Sequence, residues 1–364
     1  MYDLTHGDIK AATDRIAGRT RPIALAPAFD LGIGVGGGGD STDPEPAQVW
    51  LALEYLQHTG SFKARGAQNF LQAHRDAGTL PDAGVTIASG GNAGLACAWA
   101  ARRQGATATV FLPRTAPPVK VARLRSYGAD VRLVGTGYAE ALAACEEFAA
   151  ATGALASHAY DLPLIAAGAG TLMEEIHQRL PDLDTVVVAV GGGGLFAGMA
   201  TAARHHGVRV VAVEPENCRA LNAAIEAGHP VDTPVDSVAA DSLGAPRASA
   251  MALRAAQQDG VQSVLVSDTE IVRARQSLWD DRRIAVEHAA ATALAALTGP
   301  TGSDCPTGSD CPTGSDDPTG SAPDGSGPRG SAPYRPGPGE KICVVLCGAN
   351  TDIRSLADTG SDAG

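Results

Sequence analysis

The segment Thr59-Gly60-Ser61-Phe62-Lys63-Ala64-Arg65-Gly66-Ala67 places a lysine close to the expected start of a helix. Serine is a favoured capping residue, so the pattern predicts a helix from Ser61 to about Ala77 with Lys63 in its first turn. The positive end of the helix dipole disfavours an ammonium there and lowers the pKa of the lysine. A neutral amine is the form that makes an imine. Taken alone, however, the segment is better explained as a surface lysine on an ordinary helix.

The rest of the chain alternates between short β-rich runs and helix-like segments. The predicted strands are 49–54, 84–88, 107–112, 131–134, 186–190, 208–213 and 341–347. The predicted helices, besides 61–77, are 92–104, 117–127, 138–151, 195–206, 217–227 and 247–258. Strands separated by helices of this length are typical of parallel sheets covered on both faces. The sequence therefore predicts an α/β fold of two doubly wound domains with parallel-rich sheets.

Composition limits the possible partners and surroundings. The chain has 364 residues, of which 44% are hydrophobic and only 4% aromatic, so small side chains should let helices pack closely. A net charge of −12 argues against a nucleic acid or an anionic membrane as partner. The sequence shows no leader segment and no apolar run of about 20 residues, and its seven cysteines have no framework spacing. We expect a cytoplasmic protein.

Two low-complexity stretches interrupt the alternation. Residues 32–47 are rich in glycine and proline, and the sequence predicts a surface loop there. Residues 299–339 contain the repeat Thr-Gly-Ser-Asp-Cys-Pro twice in succession, and this composition predicts a disordered insert within a domain. Its Cys305 and Cys311 are better explained by duplication of the repeat than as metal ligands.

Two glycine-containing turns precede predicted helices. Ser89-Gly90-Gly91-Asn92 follows a predicted strand, and its backbone N–H groups suit a carboxylate, although a tight turn with an asparagine cap is equally compatible. Gly191-Gly192-Gly193-Gly194-Leu195 also follows a strand and suits a phosphate. The second turn also fits a dinucleotide-binding fingerprint, with Glu214 ending the next strand. That segment alone would predict an NAD-dependent oxidoreductase.

Taken together, the lysine segment and the two turns resemble the fold type II enzymes that use pyridoxal 5′-phosphate, most closely the serine/threonine dehydratases (ammonia-lyases). Cys347-Gly348-Ala349-Asn350 adds a fourth motif in the same order along the chain. The resemblance runs from about Arg19 to Asp352, apart from the two low-complexity stretches. The joint occurrence of four motifs outweighs the dinucleotide fingerprint.

The resemblance implies a role for each motif. Lys63 would hold pyridoxal phosphate as a Schiff base and act as the catalytic base, with Phe62 packed against the cofactor ring. Asn92 would bind the O3′ oxygen of the cofactor, and Gly191, Gly192, Gly193, Gly194 and Leu195 would bind its phosphate. The substrate carboxylate would lie against Ser89, Gly90, Gly91 and Asn92. The implied reaction removes water from a β-hydroxy amino acid such as serine or threonine and yields a 2-oxo acid and ammonia.

Cys347 would face the pyridine nitrogen of the cofactor. A thiol leaves that nitrogen largely unprotonated, which favours loss of a β-substituent over transamination. A buried strand cysteine is the alternative interpretation of Cys347. Serine racemases of this family need a serine at the position of Gly90, so racemisation is not expected. Ala52 and His288 also depart from the usual family residues.

No metal site is predicted. Glu214 matches the glutamate of the racemases' divalent site, but Ala220 replaces the aspartate expected six residues later. His205 and His206 resemble residues at the C-terminal end of a helix. The resemblance further implies a small domain at 57–158, a large domain at 1–56 and 159–364, and a homodimer or homotetramer. Another β-eliminating or β-replacing enzyme of the same family remains the alternative function.

Overall fold

The computed structural model describes residues 3–31, 45–298 and 334–357. The helices are α1 (His6–Ile16), α2 (Lys63–Asp76), α3 (Asn92–Arg103), α4 (Pro118–Ser126), α5 (Tyr138–Thr152), α6 (Pro163–Arg179), α7 (Gly194–His205), α8 (Ala220–Ala227), α9 (Ala240–Leu243), α10 (Ala250–Ala256), α11 (Asp268–Arg282), α12 (His288–Ala295) and α13 (Arg354–Ala357). The strands are β1 (Leu25–Pro27), β2 (Gln48–Ala52), β3 (Val85–Ala88), β4 (Ala108–Leu112), β5 (Asp130–Leu133), β6 (Leu155–Ala156), β7 (Thr185–Ala189), β8 (Arg209–Pro215), β9 (Val261–Val266) and β10 (Lys341–Val345). Every predicted helix and strand overlaps one of these elements.

The strands form two separate sheets. One sheet has six strands in the order β1-β2-β10-β7-β8-β9, and the other has four in the order β5-β4-β3-β6. The pairings are parallel apart from the antiparallel pair of β1 with β2. The central strands β3, β4 and β7 are buried along their whole length, as expected of sheets covered on both faces. The predicted α/β class with parallel-rich sheets is confirmed.

Each sheet has a hydrophobic core of its own. The larger core surrounds the six-stranded sheet, and a smaller one lies between α2, α3 and the four-stranded sheet. All four strands of the smaller sheet fall within residues 57–158. We therefore propose the division into a small domain at 57–158 and a large domain at 1–56 and 159–364.

Helices α2, α6 and α7 approach one another closely because glycines lie where the helices touch. A Cβ atom at Gly198 on α7 would lie 2.2 Å from the carbonyl oxygen of Ala166 on α6. A Cβ atom at Gly168 would lie 2.7 Å from the carbonyl oxygen of Arg65 on α2. Both distances are too short for any side chain, so the expectation of close packing through small residues is confirmed. This packing fixes α2, which carries Lys63, against the large domain.

The structure corrects the predicted cap of α2. Phe62 occupies the N-cap position, and Ser61 is extended and fully buried, with a β-bridge to Gly348. The backbone N–H of Phe62 also donates to the carbonyl oxygen of Cys347, 3.0 Å away. Pairing with a distant segment therefore overrides the local preference of serine for the cap. Lys63 nevertheless begins α2, as predicted.

The low-complexity stretches lie largely outside the described residues. This holds for residues 32–44 and 299–333, and so for Cys305 and Cys311. The predicted disordered insert nevertheless extends too far towards the C-terminus. Tyr334 is 7% exposed in the larger core, and its hydroxyl donates to the Glu340 carboxylate. Among the described residues, no helix is long and apolar enough to cross a bilayer.

Candidate active site

The amine of Lys63 lies in the interior of the site rather than on the surface. Its Nζ donates to the carbonyl oxygen of Ala159 at 2.8 Å and lies 4.8 Å from the centre of the Phe62 ring. Burial lowers the pKa of Lys63 to about 8, and the nearby Cys347 and Glu287 oppose this shift only in part. Burial, rather than the helix dipole proposed from the sequence, is thus the main cause. The result is an amine that is readily deprotonated near neutral pH.

The glycine turn between β7 and α7 is shaped for a close ligand. Gly193 has the left-handed φ of 91°, and a Cβ atom there would lie 2.3 Å from the Cβ of Ala252. A Cβ atom at Gly192 would lie 2.3 Å from the ring of Tyr160. The N-cap of α7 is this same Gly193, so no side chain caps the helix. The first N–H groups of α7 are therefore available to an anion such as a phosphate.

One short segment joins the amine to the glycine turn. Ala159 accepts the hydrogen bond of Lys63, and the next residue, Tyr160, packs over Gly192 and against Gly194. The Tyr160 hydroxyl donates to the carbonyl oxygen of Arg247, which holds the ring in place. The amine and the anion-binding turn therefore both contact this segment and belong to one site.

Glu287 organises the opposite side of the site. Both of its carboxylate oxygens lie 3.0 Å from Nδ2 of Asn92, and one accepts the backbone N–H of Asn350 at 2.7 Å. The Ser242 hydroxyl donates to the other oxygen at 2.6 Å. Asn350 also donates through Nδ2 to the Asn92 side-chain oxygen. The structure thus brings the asparagine loop and the 347–350 motif together around one buried carboxylate.

Cys347 is 5% exposed at the end of the loop that pairs with Ser61 and Phe62. Burial raises the pKa of its thiol to about 12, and the neighbouring Glu287 raises it further. Lys63 lies close enough to oppose that shift. The thiol is therefore neutral at physiological pH, as the sequence interpretation requires.

The proposed carboxylate loop lies at the start of α3. Ser89, Gly90, Gly91 and Asn92 are all partly buried, and Gly91, not Asn92, is the N-cap of the helix. A Cβ atom at Gly90 would lie 2.8 Å from Cδ2 of Leu112. A serine at position 90 would therefore displace the Leu112 side chain. Binding of the substrate carboxylate by this loop stays a prediction.

Glu214 is not available to a dinucleotide. It is fully buried, and its two carboxylate oxygens accept the backbone N–H groups of Leu221 and Asn222 at 2.7 Å each. It caps the start of α8 from the end of β8. The dinucleotide interpretation, which required this carboxylate to bind a ribose, is therefore wrong.

The residues of the site fit pyridoxal phosphate on three observations. A phosphate would be held by the uncapped N-terminus of α7, where side chains larger than hydrogen have no space. An aldehyde would meet a lysine whose pKa is lowered to about 8 by burial. Cys347 supplies a neutral partner for a pyridine nitrogen.

The pKa of Lys63 predicts how the apoprotein should capture an aldehyde. Since only the neutral amine reacts, the neutral fraction should rise from about 9% at pH 7 to about 50% at pH 8. The rate of pyridoxal phosphate capture, followed by absorbance, should thus increase roughly five-fold over this interval and level off above pH 9. A rate that keeps climbing towards pH 10.5 would show an unperturbed lysine.

Comparisons with known proteins agree with this geometry. A model of the family described as "Pyridoxal-phosphate dependent enzyme" matches residues 41–305. L-threonine ammonia-lyase of Geobacter sulfurreducens is 38% identical over 251 residues, which make up 68% of this chain and 62% of the relative. Phenylserine dehydratase of Ralstonia pickettii is 34% identical over 323 residues, 87% of this chain and 88% of the relative. The structure of maize serine racemase superimposes with a TM-score of 0.78 at 26% identity. The match covers 98% of this chain and 96% of the racemase chain.

Proposed function

This chain belongs to the pyridoxal-phosphate dependent enzymes, and on that premise we propose that it is a serine/threonine ammonia-lyase. In this reaction a β-hydroxy amino acid loses its α-proton and its hydroxyl, and the product is hydrolysed to a 2-oxo acid and ammonia. The observation that carries the proposal is the neutral Cys347 thiol beside Lys63 and Glu287. The relatives named L-threonine ammonia-lyase and phenylserine dehydratase support it.

When bound, the cofactor withdraws electrons from the substrate α-carbon and makes its proton acidic. Nζ of Lys63 then accepts that proton, a role that suits an amine with a pKa of about 8. Cys347 stays protonated, so it does not supply the charge that would turn the pyridine ring into a stronger electron sink. Loss of the β-hydroxyl is therefore favoured over transamination.

The remaining residues position the reacting groups. The N–H groups of Gly191 to Leu195 bind the phosphate, and the loop from Ser89 to Asn92 binds the substrate carboxylate. Both carboxylate oxygens of Glu287 accept from the Asn92 amide nitrogen, so Asn92 would exchange one of these two contacts for the cofactor oxygen. Phe62, whose ring centre lies 4.8 Å from Nζ of Lys63, would pack against the cofactor ring. The enzyme acts as a cytoplasmic homodimer or homotetramer.

A panel of substrates tests the proposal. Serine and threonine should each yield equal amounts of 2-oxo acid and ammonia with purified holoenzyme, as measured by a coupled dehydrogenase assay and an ammonia assay. No D-amino acid should form from L-serine, because Gly90 offers no second proton donor. Phenylserine, 3-hydroxyaspartate and 2,3-diaminopropionate complete the panel. Turnover of diaminopropionate without turnover of serine or threonine would favour a β-eliminating enzyme with another leaving group.

A further inference from the structure

Four histidines and a glutamate gather where α1, α6 and α7 meet. His6 comes from α1, Glu174 and His177 come from α6, and His205 and His206 lie at the end of α7. Glu174 is 168 positions from His6 and 32 from His206 along the chain. We call His6, Glu174 and His206 the histidine cluster. His205 and His206 lie at the C-terminal end of α7, about 17 Å along the helix from the glycine turn at its N-terminal end.

The three side chains converge on one point. Nε2 of His6 and Nε2 of His206 each lie 3.0 Å from the same oxygen, Oε1 of Glu174. All three ligand atoms lie within 4.8 Å of one another. In a tetrahedral zinc site with metal–ligand distances of 2.0–2.2 Å, ligand atoms lie roughly 3.3–3.5 Å apart. The two Nε2–Oε1 distances are already close to this spacing, and the two imidazole nitrogens, at most 4.8 Å apart, would need to approach by no more than about 1.5 Å to hold an ion.

Neighbouring histidine rings hold the planes of His6 and His206. His6 stacks on His205 with ring centres 3.6 Å apart, and His206 stacks on His177 at 3.9 Å. Within the described part of the chain, the buried Nδ1 of His177 has no hydrogen-bond partner.

An ion could reach this point from solvent. The side chains of His6, Glu174 and His206 are 25%, 15% and 16% exposed. A surface pocket of about 700 Å³ opens beside them and is lined in part by His6, Thr201 and His205. Water in this pocket could fill the fourth coordination position, which the three side chains leave open. The net charge of −12 also favours approach of a cation.

We propose that His6, Glu174 and His206 bind a zinc ion that ties α1 to α6 and α7. Two imidazole nitrogens and one carboxylate oxygen form a donor set that favours zinc over magnesium and calcium. The ion joins the N-terminal helix to the two helices that carry the glycine contacts of the large domain. Its role is structural, because the cluster lies apart from Lys63 and the glycine turn.

Zinc titration of the full-length holoenzyme tests this proposal. The protein should carry Cys305→Ser and Cys311→Ser, so that thiols of the sequence repeat do not bind the ion. After chelator treatment, calorimetry should show one saturable zinc site, and Tm should rise by about 3–5 °C at ion concentrations near 100 times Kd. Cobalt should give visible absorption bands of a tetrahedral nitrogen- and oxygen-ligated ion.

Variants identify the ligands. His206→Ala and Glu174→Gln should each weaken zinc binding at least ~100-fold, since even removal of groups that only support a ligand costs 10–100-fold. If either of these variants fails to fold, His6→Ala provides a third. His6 is partly exposed in the first turn of α1, so its replacement should be tolerated. His229→Ala is the matched control, because His229 is exposed and its ring contacts the carbonyl oxygen of Ala227. It should retain both zinc affinity and the Tm shift.

The outcomes are distinct from those that test the enzymatic activity. Turnover without zinc should equal that of the untreated enzyme, and Lys63 variants should bind zinc normally. Absence of a saturable site in the parent protein, or equal affinity in the three ligand variants and the control, would overturn the proposal. In that case the three side chains form only a hydrogen-bonded cluster.

Discussion

A Lys63→Ala variant is expected to lose covalent attachment of pyridoxal phosphate together with about 10³-fold of the rate of 2-oxo acid formation. The variant removes both the amine that reacts with the aldehyde and the base that accepts the α-proton. The remaining contacts of the glycine turn should still bind the phosphate, so the cofactor should associate weakly and reversibly. Absorbance after gel filtration measures the attachment, and the coupled assay measures the rate.

The lysine content of the chain makes this experiment unusually specific. The sequence has only three other lysines, Lys10, Lys120 and Lys341. Lys120 and Lys341 form surface ion pairs with Asp241 and Asp182. Borohydride reduction of the holoenzyme followed by peptide mass mapping should therefore place the label on the peptide that contains Lys63. Lys10→Ala, at an exposed position of α1, is the matched control and should behave as the parent protein.

A label on another lysine, or full activity of Lys63→Ala, would remove the basis of the proposed function. A small amine such as methylamine separates the two roles of Lys63. If the side chain transfers the α-proton, added amine should restore part of the rate in Lys63→Ala without restoring the label. No such restoration is expected in a variant of the glycine turn.

Local patterns were sufficient to predict the elements that carry the site. Strand and helix periodicity, together with glycine turns, depends on neighbouring residues, and the predicted β7–turn–α7 unit matches the structure. Local sequence could not decide whether the glycine turn binds the phosphate of pyridoxal phosphate or a dinucleotide. It depends on Glu214, whose carboxylate is used by the backbone of α8. Only the fold shows that this side chain is buried.

Long-range contacts explain what the sequence could not predict. Ser61 is a good cap by composition, but its segment pairs with Gly348, which lies far along the chain. The lowered pKa of Lys63 arises from burial in the folded protein rather than from its position in α2. The histidine cluster likewise joins three separate helices. No spacing rule in one sequence relates such residues.

The second large effect is expected at the buried Arg65. Arg65→Met should lower the free energy of unfolding by about 3–5 kcal/mol. Arg65 is fully buried, and its guanidinium donates to both carboxylate oxygens of Glu54, at 2.7 and 3.0 Å. It also donates to Glu175 at 2.6 Å and to Thr171 at 3.2 Å. Removal of the cation would leave the carboxylate of Glu54, which is 1% exposed, without a counter-charge.

The same contacts predict the partial reversal of this effect. Burial raises the pKa of Glu54, and Arg65 opposes that shift, so loss of the arginine should drive Glu54 towards its protonated form. Adding Glu54→Gln and Glu175→Gln to Arg65→Met should therefore restore part of the lost stability, since no buried charge remains. Urea unfolding of the holoenzyme, followed by circular dichroism, measures the midpoint of each variant.

An exposed ion pair provides the comparison. Arg247 lies 2.7 Å from Asp232, and both side chains are more than half exposed. Arg247→Met should leave the urea midpoint nearly unchanged, because solvent screens such pairs. Equal midpoints for Arg65→Met and Arg247→Met would mean that the buried arginine does not hold α2 against the large domain. Lys63 begins the same helix as Arg65. Arg65→Met should therefore also weaken cofactor retention, whereas Arg247→Met should not.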